Sequence, residues 1–167
     1  MLKFLSLFLF ILFFSQANSQ QLTPQNINLK FSIKYQITQN NFLEVPDNPN
    51  HRIGAASGTG IALFNDSISV AVNSYFIYDY TEGNGQFTDY YVFTFENGSS
   101  FTVQAQGTSQ GSGPNASNPL FQASTIITAG TGDFLNFKAS GVMSGNRNTM
   151  VENNAIVKLS FDMKSSN

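Results

Sequence analysis

The side chains that could do chemistry in this 167-residue chain are few and scattered. Its only histidine, His51, stands beside Arg52 in a proline-containing loop, and no G-x-S-x-G turn accompanies it as in many serine hydrolases. Cysteine is absent, which excludes disulfides, thiolate catalysis and thiolate metal sites. The ten acidic residues are dispersed, and none belongs to a calcium-binding loop. We therefore interpret His51 as a solvated loop residue, and the sequence predicts no metal and no cofactor.

Two aromatic segments give the clearest indication of a binding site. Residues 75–80 read Tyr-Phe-Ile-Tyr-Asp-Tyr and residues 90–95 read Tyr-Tyr-Val-Phe-Thr-Phe, so a strand would carry rings on both faces. One face fills a core, and the other either packs under a partner such as a second copy or lines a pocket for an apolar molecule. Asp79, between Tyr78 and Tyr80, is predicted to be a buried acid with a raised pKa. The residues predicted to line a cavity are Tyr35, Tyr78, Asp79, Tyr91 and Phe93.

Alternating apolar and polar residues predict that β-strands position these side chains. Alternation is strict in residues 31–38, 101–106 and 157–163. No window of the chain beyond residue 19 shows a helical period over three turns. The other β-rich runs are residues 58–64, 67–72, 74–80, 88–96, 121–129 and 134–143. About eight strands and no helix predict an all-β fold, a small antiparallel barrel or sandwich in one domain.

Glycine and asparagine mark the expected turns. Asn97-Gly98 predicts a two-residue hairpin of type I′. Gly130 and Gly132 predict a sharp structural turn, after which Phe134 re-enters the core. Residues 43–51 and 107–119 are rich in proline, glycine and polar residues, and they predict the two long loops.

The N-terminus has the pattern of a secretory signal peptide. Lys3 precedes an apolar run over residues 4–14, and the small residues Ala17 and Ser19 suit a cleavage site. The run is too short to span a bilayer. We expect a signal peptide over residues 1–19, an extension over residues 20–28 and the barrel over residues 29–164. The mature protein is then extracellular, with no membrane span.

Because we expect the protein to be secreted, its three N-x-S sequons are candidate glycosylation sites. Asn65, Asn97 and Asn115 each lie in a predicted turn, and we expect them to be glycosylation sites.

The low charge of the chain limits the classes of partner that it is expected to bind. The formal net charge is −2, with charged residues at 11% of the chain. This predicts no basic face for a phosphate backbone, so no nucleic acid is expected as a partner.

Three stretches follow one another along the chain: residues 52–60 entering a strand, the aromatic hairpin of residues 93–107, and residues 124–134 with 138–141, which include the Gly-Thr-Gly-Asp-Phe turn. Together and in this order, they resemble the allene oxide cyclase and dirigent-like barrels. The resemblance covers residues 29–163 and implies an eight-stranded antiparallel barrel with an interior cavity open at one end.

The resemblance also implies what the cavity could do. The cyclases use a first-strand carboxylate and a cysteine; here the first strand carries Gln36 and no acid, and cysteine is absent, so that machinery is not matched. Dirigent proteins carry cavity Asp and Arg residues that hold a phenolic intermediate. Asp79, Asp133 and Arg147 are the candidates for such roles.

Three functional hypotheses remain open. The leading one is a secreted barrel that binds or orients a small hydrophobic or phenolic molecule without classical catalysis. The second is a cyclase or isomerase that uses a cavity carboxylate. The third is a structural or surface protein with a filled barrel. A homo-oligomer is compatible with each of them, and fold analogy alone does not choose between them.

Overall fold

A computed structural model describes residues 27–64, 67–111, 118–148 and 156–165. Nearly all of them form eight long strands, with one short 3₁₀ turn at Gly132–Phe134. The strands are β1 (Asn28–Glu44), β2 (His51–Phe64), β3 (Ile68–Thr81), β4 (Asn84–Thr94), β5 (Ser100–Gln110), β6 (Leu120–Thr131), β7 (Ala139–Asn148) and β8 (Ile156–Ser165).

The strands form one closed antiparallel barrel in chain order. Each strand pairs with the next, and β1 closes the ring by pairing with β8 from Asn28↔Lys164 to Gln36↔Ile156. Closure leaves no strand of the barrel with an unpaired edge. The predicted all-β fold and eight-stranded barrel are confirmed.

The alternation in the sequence separates the inside of the barrel from the outside. On β4, Phe87, Tyr91 and Phe93 are buried, whereas Gln86 and Tyr90, each directly before one of them, are exposed. The same period of two continues around the ring because neighbouring strands pair in register. Away from the register shifts between β1 and β2 and between β5 and β6, a residue's parity within its strand therefore decides whether it reaches the core or the surface.

Phenylalanine fills the end of the barrel that holds the β4–β5 hairpin, which we call the base. Phe31 stacks on Phe64 and Phe161 with ring centroids 4.5 and 4.6 Å apart, and Phe93 stacks on Phe101 at 4.8 Å. Such offset and edge contacts add about 0.5–1.5 kcal/mol per pair to simple burial. The base is therefore packed solid and leaves no room for a ligand among these rings.

The turn after β6 seals the base. Gly132 has φ +57°, and a Cβ there would collide with Ser99 Oγ, so this position requires glycine. Phe134 then returns to pack on Phe95 and Phe101, at 4.8 and 4.9 Å. The predicted return of Phe134 to the core is confirmed. The strand predicted from residue 134 instead begins at Ala139, because the 3₁₀ turn intervenes.

Two other local predictions are wrong. The predicted runs 67–72 and 74–80 are one strand, β3, because Asn73 keeps extended pairing with Val92. Asn97-Gly98 is not a type I′ turn. Gly98 has φ +80° but Asn97 does not have positive φ, and the N–H of Gly98 donates to the Phe95 carbonyl at 2.9 Å. This is a three-residue loop, a type I turn followed by a left-handed glycine.

Several predicted features lie outside the described residues. They are the signal peptide, most of the extension, and the sequons at Asn65 and Asn115. In the part of the chain that the structure covers, no helix is long and apolar enough to cross a membrane.

Candidate functional site: the open end of the barrel

A cavity of about 660 Å³ occupies the end of the barrel opposite the base, which we call the mouth. The mouth lies between the β1–β2 turn, the β3–β4 hairpin and the last residues of β7. Ile37, Phe76, Tyr78 and Tyr80 give it apolar and aromatic walls. Its polar lining residues are Asn40, Asn50, Arg52, Glu82, Asn84 and Arg147.

Two arginines bring positive charge into the mouth. Arg52 is tied to the rim, since its Nη2 donates to Glu44 Oε1 at 3.2 Å and its guanidinium lies 4.5 Å from the Phe42 ring centroid. Arg147 is half-buried, and no described carboxylate pairs with it. Its Nε is buried and has no hydrogen-bond partner among the described residues. Burial lowers the pKa of Arg147 from its usual range, but a guanidinium remains charged.

Small residues on β2 make space for Tyr78 of the mouth and for Tyr35, which lies deeper in the barrel. A Cβ on Gly54 would meet the Tyr78 ring and hydroxyl at 2.5 Å, and one on Gly58 would meet the Tyr35 ring at 2.6 Å. The Tyr78 hydroxyl donates to Asn40 Oδ1 at 2.8 Å, and its ring stacks on Tyr80 at 4.8 Å. The phenol rings are thus held in fixed positions around the opening.

Below the mouth lies a buried polar cluster built around Asp89. Asp89 is 2% exposed, and Ser74 Oγ donates to its two carboxylate oxygens at 3.0 and 3.1 Å. Tyr35 and Tyr91 pack beside it, with ring centroids 6.2 Å apart. Loss of solvation raises the pKa of Asp89 to about 6, although hydrogen bonds from Tyr91 and Ser74 oppose the rise. Burial also raises the pKa values of Tyr35 and Tyr91, which keeps both phenols protonated.

A small cavity of about 20 Å³ lies between this cluster and the mouth. It touches Asp89 and Tyr91 below and shares Tyr80 and Arg147 with the larger cavity above. Its size suits about one water molecule. A group bound in the mouth would therefore lie above a carboxylic acid and two phenols rather than above a purely apolar floor.

The structure brings together some of the predicted cavity residues and separates others. Tyr78 lines the mouth, and Tyr35 and Tyr91 line the small cavity below it. Phe93 is fully buried in the aromatic base. Arg147, a candidate from the family resemblance, lies in both cavities.

The two predicted acids do not lie in the cavity. The prediction that Asp79 is buried is wrong. Its side chain is 60% exposed because it is on the outer face of β3. Asp133 is exposed in the 3₁₀ turn at the base, where its Oδ2 accepts a hydrogen bond from Asn97 Nδ2 at 2.8 Å. It is at the wrong end of the barrel to contact a ligand in the mouth.

Sequence reasoning missed Asp89 and Ser74, although parity could have found them. On β4 the odd-numbered positions carry Phe87, Tyr91 and Phe93, which places Asp89 inside. On β3, Val70 and Val72 place Ser74 inside by the same argument.

His51 is held at the rim, and the prediction of a solvated histidine is wrong. Its ring is 15% exposed, with Nδ1 2.5 Å from Asp47 Oδ1 and Nε2 2.8 Å from Asp79 Oδ1. Both contacts are hydrogen bonds only when both ring nitrogens carry protons. These bonds raise the pKa of His51 and fix the β1–β2 turn, which contributes Asn50 to the mouth.

We expect this contact to depend on pH. Because the folded pKa of His51 lies above its ordinary value of about 6.5, the doubly bonded form is complete below that pH and is lost as the pH rises through the raised value. The bonds also lower the pKa of Asp47, so the contact persists into mild acid. An NMR titration should give a His51 pKa above 6.5. The amide of Glu82, whose N–H donates to Asn50 O, should be less protected at about pH 9 than at about pH 6 when its exchange rate is compared with the intrinsic rate at each pH.

The His51→Gln variant is the control, since it cannot bridge two carboxylates with charge. It should show the low protection of Glu82 at both pH values. A His51 pKa at or below 6.5 would contradict the prediction.

Asn97, the one sequon asparagine in the described residues, is engaged at the base. Besides donating to Asp133, its Oδ1 accepts from the N–H of Ser99 at 3.0 Å, and Ser99 Oγ accepts from the N–H of Asp133 at 3.1 Å. The side chain thereby ties the β4–β5 hairpin to the 3₁₀ turn. Its glycosylation stays a prediction.

Fold and site together define a closed eight-stranded antiparallel barrel with a packed aromatic base and a polar, aromatic mouth. No protein-family model and no curated protein matches the sequence. Among solved structures, the chain resembles a protein of unknown function from Clostridium acetobutylicum, with 15% identity, a TM-score of 0.55 and coverage of 84% of this chain and 99% of that one.

Two further solved structures are similar. A conserved protein of unknown function from Rhodopseudomonas palustris aligns with 14% identity and a TM-score of 0.52, covering 86% of this chain and 99% of that one. A pterocarpan synthase dirigent protein aligns with 17% identity and a TM-score of 0.48, covering 90% and 99%. The solved neighbours thus include a dirigent protein and two proteins of unknown function, and the likeness to the latter two concerns the fold alone.

Proposed function

We propose that this protein is a secreted, dirigent-like barrel that binds a small hydrophobic or phenolic molecule in its mouth and orients it without covalent chemistry. The observation that carries the proposal is Arg147. Its guanidinium is half-buried in an aromatic cavity and has no acidic partner among the described residues. A ligand with an anionic or strongly accepting oxygen would provide that partner.

The dimensions and lining of the mouth support a ligand of this kind. A volume of about 660 Å³ lies within the range of small-molecule sites. Tyr78, Tyr80 and Phe76 offer ring faces to an apolar or aromatic body, while Arg147 and Asn40 fix its polar end. The predicted signal peptide supports the extracellular location.

The test is ligand binding with and without the buried cation. The protein isolated from its native source is examined by native mass spectrometry for a retained small molecule, and that molecule is titrated calorimetrically. Arg147→Met should weaken binding roughly ten- to a hundredfold, the cost of losing a hydrogen bond to a charged group. Lys158→Met is the matched control, because it removes a positive charge from the exposed face of β8.

Two outcomes would contradict the proposal. One is a clean apo mass with no uptake from a panel of fatty acids and phenols. The other is equal affinity in the wild type and the Arg147→Met variant, which would leave the barrel as a scaffold only.

Asp89 favours an isomerase or cyclase as the second candidate function. Its pKa of about 6 would allow it to exchange a proton near neutral pH, and the small cavity brings it within reach of the mouth. Asp89→Asn separates the two candidates. A binding protein should keep its affinity in this variant, whereas an enzyme should keep binding and lose turnover.

A further inference from the structure

The outer surface of the barrel divides into a charged part and an uncharged part. The outward-facing charged residues on β1 and β8 are one aspartate, Asp162, and four lysines, namely Lys30, Lys34, Lys158 and Lys164. The prediction of no basic face is therefore wrong for this narrow strip. On the described strands β2 to β7, the outward-facing charged residues are His51 and Asp79, which pair with each other at the rim. The rest of that face carries hydroxyl, amide, aliphatic and tyrosine side chains.

A trough runs across this uncharged face beside the mouth. Directly paired residues form a row across five strands, namely Gln39, Ser57, Tyr75, Tyr90 and Gln104. At about 4.8 Å between strands, the row spans roughly 19 Å. The small residues Ala55 and Ser57 form the floor of a groove of about 400 Å³.

The two walls of the trough differ in chemistry. Gln39 and Asn41 of β1 provide the amide wall, and Tyr75 and Ile77 of β3 provide the apolar wall, with Tyr90 beyond it. Gln39 faces outward because a β-bulge between Ile37 and Gln39 reverses the parity of β1.

The trough is exposed, and its polar groups are free. Tyr75 is 53% exposed and Ile77 is 57% exposed. Within the described ranges, the side chains of Gln39 and Asn41 make no hydrogen bond. Gln104 Nε2 donates to the Tyr90 hydroxyl at 2.8 Å, which fixes that ring while leaving its proton free to be donated.

We propose that the trough is a second binding site, which takes a neutral carbohydrate chain. A pyranose ring presents C–H bonds on its faces and hydroxyls around its edge. The ring face would stack on Tyr75, and the hydroxyls would bond to the Gln39 and Asn41 amides, which both donate and accept. The lack of charge matches a ligand that carries none.

This chemistry fits a sugar chain better than the other occupants of such a face. The stable core of a protein–protein interface is largely apolar, whereas one whole wall of the trough is unpaired amide. A proline-rich peptide docks between aromatic side chains, and the trough has rings on one side only. The trough is also separate from the mouth, so this inference does not depend on the proposed ligand of Arg147.

The test is retention of the full-length secreted protein on neutral polysaccharides. The probes are microcrystalline cellulose, chitin and soluble β-1,3-glucan, with polygalacturonate as the charged comparison. We expect retention on at least one neutral probe, unchanged at high salt. Tyr75→Ala should weaken it about tenfold or more, as when an aromatic anchor is removed, while Tyr75→Phe should keep most of the binding.

Ile61→Ala is the matched control, because Ile61 is 54% exposed on the same face but away from the trough. It should bind as the wild type does, and so should Arg147→Met. Failure to bind any neutral probe, or equal binding by Tyr75→Ala, would overturn the proposal. So would self-association or binding of a polyproline peptide that Tyr75→Ala abolishes, since the face would then belong to that partner.

Discussion

The Asp89→Asn variant is expected to be more stable than the wild type at neutral pH by up to about 3 kcal/mol. Burial raises the pKa of Asp89 from 3.8 to about 6, and each unit corresponds to about 1.4 kcal/mol. A raised folded pKa means that stability is complete below about pH 4 and falls as the pH rises through about 6. The neutral amide escapes that cost and still accepts the Ser74 hydrogen bond.

Thermal unfolding as a function of pH measures this effect. At about pH 7 the variant should melt roughly 6–12 °C above the wild type, and at about pH 4 the two should nearly coincide. Asp162→Asn is the control, because Asp162 is half-exposed beside Lys30 on the outer face and should shift stability by less than about 0.5 kcal/mol. A variant less stable than the wild type at pH 7 would show that the carboxylate is stabilised inside the barrel, which contradicts the desolvation argument.

Phe93→Ala is expected to cost about 3–5 kcal/mol of folding free energy. The Phe93 ring is fully buried and contacts Phe31, Phe64, Phe101 and Phe161, with centroids between 4.8 and 6.3 Å away. Its removal leaves a cavity. The neighbouring rings are packed too closely to move in and fill it. Denaturant unfolding should show a lower midpoint with an unchanged slope.

Thr94→Ala, the exposed neighbour on the same strand, is the control and should change stability by less than about 0.5 kcal/mol. If Phe93→Ala does not fold, Phe93→Leu should show a smaller loss in the same direction. A loss below about 1 kcal/mol would mean that Phe93 faces open space, as the sequence-based cavity set supposed, rather than a packed core.

The barrel could be predicted from sequence because its evidence is local. Alternation along each strand and glycines at turns are properties of short segments, and they predict about eight strands and the return of Phe134 to the core. A closed barrel could be predicted as well, because closure pairs both edges of every strand. The type of the turn at Asn97 is not a local property, because φ at Asn97 depends on the pairing of the strands on either side.

The candidate site was only partly predictable from sequence. Whether a side chain points into the barrel or out of it depends on where its strand begins and ends and on any bulge within it. Dividing β3 at Asn73 removes the parity that Val70 and Val72 set, and this parity places Asp79 outside the barrel. The two carboxylates that hold His51 come from a loop and a different strand. No pattern along the chain indicates that meeting, and the bulge that turns Gln39 outward is equally invisible in the sequence.

The pairing of β1 with β8 links the order of synthesis to the order of folding. One edge of the first strand pairs only with the last strand. A growing chain therefore keeps two unpaired edges until residues 156–165 have been made. Contacts so distant in sequence slow folding, because the whole intervening chain must be arranged before they form. A chain that stops before β8 would therefore not be a barrel with one strand fewer. It would be an open sheet whose β1 and β7 edges are free to pair with other chains.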